Sequence, residues 1–292
     1  MTDDHVAAAI RTMWHRTPLE CVPVTGGMTS QAWLVRTDDG RYVAKLVPIA
    51  NRPQFEAGLA AAEYLEQGGI NAGTPVRSVS GALTEALDEG ALGLLDYVPG
   101  RLLDGQDPID QQWWGDLLGA AHRALHGFAH PGLVRWHWVR PDAPHLDLEE
   151  WVRPAVTDAV GALSKLSVTD QLTYGVLHGD PAPESFRLDV HTGRTGVIDW
   201  GSMCTGPLAY DVASAVMYAG GLSRSLDLLE AYCAAGPMTR DEIEASLPTL
   251  LKFRWAVQAD WFARRVVTDD RTGISDPKEN WRGLHDAKEH LV

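Results

Sequence analysis

The stretch VLHGDPAPESFRLDVHTGRTGVIDW, residues 176–200, limits what this chain can fold into more than any other. An apolar run ends in His178, Gly179 and Asp180. FRLDV and TGVIDW then read as a hairpin joined by the turn HTGR. That places Asp180 on the loop entering the hairpin and Asp199 at its far end. Two carboxylates gathered this way can hold Mg2+ and orient a hydroxyl. Asp is also common in turns and caps, so the pair alone leaves both readings open.

The rest of the chain changes character once. Residues 1–20 read as a helix with Ala7, Ile10, Met13 and Trp14 on one face. VPVTGGMTSQAWLVRTDDGRYVAKLVP follows as strand, Gly-bearing turn, strand, tight DDGR turn and strand. FEAGLAAAEYLEQGG reads as a helix ending at Gly68 and Gly69, and TPVRSVS and LGLLDYVP as two more strands. After VPG, residues 98–100, helical patterns dominate: one in IDQQWWGDLLGAAHRALHG, then 146–166, 222–234, and 241–268 as two helices broken near Pro248. The polar segment 268–284 reads as a loop at the mouth of a cleft. A β-rich first third before a helical remainder predicts an α+β chain of two lobes, 1–97 and 98–292, hinged near Leu95–Gly100.

Lys45, inside the apolar strand YVAKLV, is costly to bury without an anionic partner. Glu56 on the next helix and a nucleotide phosphate are candidates; an edge-strand lysine turned to solvent is the alternative. The formal net charge of −14 argues against a nucleic-acid partner, which needs a basic footprint. It serves solubility, or steers a cationic substrate. No apolar run is long enough to span a membrane, and the acidic start MTDDH has no basic n-region, so a cytoplasmic location is expected. The three cysteines and eleven histidines form no zinc or HExxH spacing.

With these motifs in order, the chain resembles the aminoglycoside phosphotransferase / choline kinase-like family, small-molecule kinases with a bilobal protein-kinase-like fold. The resemblance runs over nearly the whole chain. VTGGMTSQAWLV is similar to the family's phosphate-covering loop, so Gly27, Met28, Thr29 and Ser30 would lie over the phosphates of ATP or GTP. YVAKLV matches the lysine strand, and Glu56 the glutamate that holds Lys45. LLDYVPG resembles the hinge, where Asp96, Tyr97 and Val98 would meet the adenine through backbone groups. LHGD looks like the catalytic loop, VIDW the Mg2+-binding motif, and GPLAYDVASAVMY the segment whose Asp211 bonds back to that loop. By resemblance, Asp180 accepts or orients the proton of the substrate hydroxyl, Asp199 binds Mg2+, and His178 shapes the catalytic loop.

One departure stands out. Where the family carries a metal-binding Asn, this chain has Ser185, with Glu184 beside it. Either can complete the metal site, or the chain is a non-catalytic nucleotide-binding protein of pseudokinase type. The acceptor is expected against the second lobe, with Tyr218, Trp255, Asp260, Trp261 and Arg264 as candidates. Asp260 among aromatics suits an amine; Arg264 and Arg265 suit a carboxylate or phosphate; core packing is the plain alternative. The resemblance implies a hydroxylated small-molecule partner, and a monomer or homodimer.

Overall fold

The computed structural model describes residues 1–24, 27–136 and 139–292. Its first part is an antiparallel sheet. β1 (Glu20–Val24), β2 (Gln31–Arg36), β3 (Arg41–Val47), β4 (Pro75–Val76), β5 (Thr84–Leu87) and β6 (Gly90–Asp96) pair in the order β1-β2-β3-β6-β4, with β5 also on β6. Burial alternates along β3 as far as Leu46: Tyr42, Ala44 and Leu46 are buried, and Lys45 faces the other way, beside Ala32 and Gly93 on its neighbours. Helix α1 (Asp3–Trp14) covers the first face, with Val6, Ile10 and Trp14 packed on Trp33, Val35 and Tyr42. It stops short of the expected residue 20 because His15 turns left-handed, φ 51°, and Pro18 follows.

Helix α2 (Arg52–Gln67) covers the second face through Phe55 and Leu59, which pack with Val47 and Ala91. Its far side, Ala61, Ala62 and Leu65, joins the large core of the rest of the molecule. Gly58 sits so close to the turn after Asp199 that a Cβ there would lie 2.4 Å from the Trp200 carbonyl oxygen. The helix therefore ties the sheet to the Asp199 segment.

The remainder is mostly helical. Between β7 (Arg101–Leu102) and β8 (Val134–Arg135) runs α3 (Pro108–Ala124), capped by Asp107. Then come α4 (Val152–Thr169), β9 (Tyr174–Leu177), β10 (Phe186–Leu188), β11 (Thr195–Val197), β12 (Cys204–Pro207), α5 (Ala209–Tyr218), α6 (Leu226–Ala235), α7 (Arg240–Val267) and α8 (Lys278–Leu291). The short strands form two small sheets, β11-β10-β7 and β8-β12-β9. The expected hairpin of residues 186–197 is present, with Phe186 opposite Val197.

Three expectations need correction. A strand β5 was not anticipated between the two predicted ones. Residues 241–268 form one helix rather than two. Pro248 removes one hydrogen bond, but Ile243, Leu247, Leu250 and Phe253 on both sides of it are buried in one core that holds the axis. The segment read as a loop to residue 284 is a loop only to Pro277; α8 then presents Asn280, Gly283, Leu284 and Ala287 as one buried face. Among the described residues, no helix is long and apolar enough to cross a membrane.

Candidate active site

Asp211 organises the loop that carries Asp180. It opens helix α5 fully buried, and a buried carboxylate must have its oxygens occupied. Its Oδ2 accepts from the His178 amide at 2.6 Å and from His122 Nε2 at 3.0 Å, and its Oδ1 accepts from the Gly179 amide at 3.1 Å. His122 is fixed in turn by the Tyr232 hydroxyl at 2.8 Å. Gly179 has φ 88°, and a Cβ there would meet the Ser202 carbonyl oxygen at 2.1 Å, so glycine is required at that turn.

His178 lies under the loop and not in the cleft. It is 1% exposed, bonds through Nε2 to the Ile198 carbonyl at 2.8 Å, and packs against Trp200. That bond ties the catalytic-loop segment to the strand leading into Asp199.

Asp180 itself is open, with 51% of its side chain exposed. The Tyr218 hydroxyl donates to its Oδ1 at 2.6 Å, and the Arg254 guanidinium stands 3.8 Å away. Arg254 also donates to the Tyr218 hydroxyl at 3.1 Å and, through Nε, to Ser214 at 3.2 Å. Burial works against the Arg254 charge, but Tyr210, Tyr218 and Asp180 around it keep the guanidinium protonated. Burial also pushes the Tyr218 hydroxyl above the usual tyrosine range, so it stays a donor. The result is an exposed carboxylate held in one orientation by a buried donor and a buried cation.

Lys45 bonds to the carboxylate of Asp199. Asp199 takes a left-handed backbone, φ 67° and ψ 53°, at the end of the hairpin, which costs a non-glycine residue on the order of 1 kcal/mol. Its side chain is 58% exposed, yet protein crowds closely around it. That crowding raises the carboxyl's proton affinity, but the Lys45 charge and hydrogen bond outweigh it and hold the group below the usual carboxylate range.

Glu56 is not the partner of Lys45 in this structure. It accepts from Arg52 Nε at 2.9 Å and from the Thr84 hydroxyl at 2.6 Å. Arg52, one turn earlier on α2, competes for it at the favourable i,i+4 spacing. Desolvation opposes its charge, yet these two bonds keep Glu56 below its ordinary value.

The other sequence-predicted residues divide. Gly27–Ser30 make a tight turn between β1 and β2; a Cβ on Gly27 would lie 2.5 Å from the Ser30 carbonyl oxygen. Thr25 and Gly26 of the same motif lie outside the described residues. Asp96 and Tyr97 close β6, their amides bonded to Thr74 and Arg41, with the Arg41 guanidinium 3.9 Å over the Tyr97 ring. Val98 is buried. Ser185 is buried in a short turn and accepts through its carbonyl from the Ile198 amide at 2.8 Å, while Glu184 is exposed beside it.

Of the five acceptor candidates, only Tyr218 meets Asp180. Asp260 is already paired with His145 at 2.7 Å. Trp255 stacks on His290 with ring centroids 3.9 Å apart, and Trp261 lies under Arg264 and Arg265. The helix period explains the split: Arg254 faces the catalytic loop, so its neighbour Trp255 is turned about 100° away toward α8. Arg254 was missed. Its signal was a cation inside the apolar run KFRWAV, the same signal that singled out Lys45.

Among the described residues, no three of His, Cys, Asp and Glu converge into a metal cage. Mg2+ commonly takes one or two carboxylates, with phosphate and water filling the other positions. The open oxygen donors of Asp199 fit such an ion.

The model of the phosphotransferase enzyme family matches residues 20–244. A homoserine kinase of Methylobacillus flagellatus is 28% identical, over 84% of this chain and 79% of its own. An amicoumacin kinase solved with AMP-PNP and Ca2+ superimposes with a TM-score of 0.77 at 17% identity, over 100% of this chain and 93% of that one. A microcompartment-associated aminopropanol kinase gives 0.75 at 16% identity, over 98% and 94%. The chain belongs to the phosphotransferase enzyme family and has the protein-kinase-like fold.

Proposed function

We propose that this member of the phosphotransferase enzyme family transfers the γ-phosphoryl group of ATP or GTP to a hydroxyl of a small molecule. The observation that carries the reading is the exposed Asp180, its loop pinned from behind through Asp211 and its carboxylate oriented by Tyr218 and Arg254, on the loop entering the hairpin whose far end carries Asp199, the partner of Lys45. Phosphoryl transfer is catalysed mainly by positioning and charge neutralisation, which such a site supplies.

In this reading residues 1–97 form the nucleotide lobe and 98–292 the acceptor lobe. The base lies against Asp96–Val98 and the phosphates under Gly27–Ser30. Asp199 would hold Mg2+, with Glu184 or Ser185 as second contact; the ion would neutralise charge on the phosphates. Lys45 turns from Asp199 to the phosphates. Asp180 accepts the proton of the acceptor hydroxyl and aligns its oxygen for attack. Glu56 supports α2 through Arg52 and Thr84 rather than holding Lys45.

The first acceptor to try is a hydroxylated amino acid of the homoserine type. The Methylobacillus flagellatus relative named above is a homoserine kinase, and the Arg254 cation beside Asp180 suits an acceptor carrying an anionic group better than a polycation. The protein is read as cytoplasmic, a monomer or homodimer, with neither nucleic acid nor membrane as partner. The test is ADP formation with Mg2+ and a panel of homoserine, amino alcohols, amino sugars and aminoglycosides. Stimulation by one class supports the reading. Nucleotide binding with no turnover on any acceptor would favour a non-catalytic nucleotide sensor, the alternative raised by Ser185.

A further inference from the structure

Arg187 has no place in the mechanism above, yet its surroundings ask for a ligand. It is the middle residue of β10, and its neighbours Phe186 and Leu188 are buried in the main core. Side chains alternate along a strand, so Arg187 points to the opposite face. The ladder shows what that face sees. Arg187 is directly opposite Gly196 on β11, and such partners share a face of the sheet. A Cβ on Gly196 would lie 2.6 Å from Val98 Cγ1. The arginine therefore rises on the side of the hinge segment, Tyr97 and Val98, where the reading above places the nucleoside.

Two further facts bear on it. Among the described residues, the Arg187 Nε is buried with no hydrogen-bond partner. A buried donor left unpaired is costly, so a chain that keeps one beside a binding segment gains something elsewhere. Burial works against its charge, while Tyr97, on the hinge, and Glu184, beside Ser185, favour it. Both border the same cleft. A leucine or methionine would serve as an apolar floor without an unpaired donor.

We propose that Arg187 is a nucleoside-recognition residue, its Nε donating to an acceptor atom on the ribose or base of the bound purine nucleotide. The inference rests on the nucleotide reading of the cleft and adds a contact that the phosphate-binding residues do not supply. Lys45 and Asp199 act on phosphate and metal; Arg187 acts on the part that all purine nucleosides and nucleotides share. Its planar donor edge is fixed in place, which a lysine cannot copy.

The test is calorimetric titration of ATP, adenosine and guanosine into the wild type, Arg187→Met and Arg187→Lys, with thermal melting as a folding control. The expected result is a loss of about tenfold in affinity for Arg187→Met, equal for ATP and adenosine, with Arg187→Lys no better than methionine. A loss for ATP alone, or full recovery with lysine, would mean a charge acting on phosphate and would overturn the proposal. Unchanged affinities in a folded Arg187→Met protein would overturn it as well. If the wild type binds ATP, such a result leaves the kinase reading standing. If the wild type binds no nucleotide at all, the kinase reading falls and the inference falls with it.

Discussion

Lys45 and Asp199, 154 residues apart in sequence, are bonded to each other and join the first sheet to the segment after the hairpin. In the proposed function each is a ligand for one part of a metal–nucleotide, phosphate for the cation and Mg2+ for the carboxylate. On that reading their mutual bond keeps both charges where the nucleotide would need them. Replacing Lys45 with Met removes the phosphate contact and is expected to lower kcat/KM by about 100-fold or more, the usual scale for a charged group aimed at developing charge. It also removes the cation that holds the Asp199 carboxyl down. The acid limb of Mg2+-dependent nucleotide binding is therefore expected to move to higher pH in Lys45→Met. A binding-versus-pH series on both proteins measures this, and an unmoved limb would contradict the pairing.

The buried Asp211 has a structural and a catalytic consequence. Asp211→Asn turns one acceptor oxygen into a donor facing either backbone amides or His122. A loss of about 3 kcal/mol in urea unfolding is expected, with a larger fall in kcat than in nucleotide affinity. Equal losses in both would mean that the loop is not what Asp211 positions.

Lobe stability should depend on pH through Asp110. Its carboxylate, almost fully buried at the start of α3, accepts from Arg101 Nη1 at 2.5 Å, Arg101 Nη2 at 2.6 Å and the Asp104 amide at 2.7 Å. The Arg101 bonds, against the cost of burial, hold its carboxyl below the usual carboxylate range. A carboxyl depressed in the folded state stabilises above its unfolded value and loses that contribution as pH falls through the folded value. Asp110→Asn is therefore expected to cost about 2 kcal/mol at pH 7, with the gap to wild type closing only below about pH 4. A gap that closes already at pH 6 would point to another group.

The sequence made the hairpin, its two carboxylates, the lysine strand and Asp211 legible, because each is a polar residue inside an apolar run at a fixed spacing. Partner choice was less legible. Lys45 was expected on Glu56, but Arg52 sits one turn from Glu56, and that local competition outweighs a tertiary contact. The surroundings of Asp180 were less legible for a geometric reason: the tryptophans of α7 drew attention, while the helix turns Arg254 to Asp180 and Trp255 to His290. Pro248 misled because tertiary packing overrides a local breaker. Strand β5, four residues of mixed polarity, left almost no pattern to read.

The central claim is that Asp180 handles the acceptor hydroxyl while the nucleotide is held elsewhere. The most direct measurement is phosphate transfer from labelled ATP to the acceptor that responds in the panel, by wild type and Asp180→Asn, alongside the Kd for ATP with Mg2+. The account predicts that transfer falls about 1000-fold while the Kd stays within about twofold. Transfer by Asp180→Asn within about tenfold of wild type would contradict it.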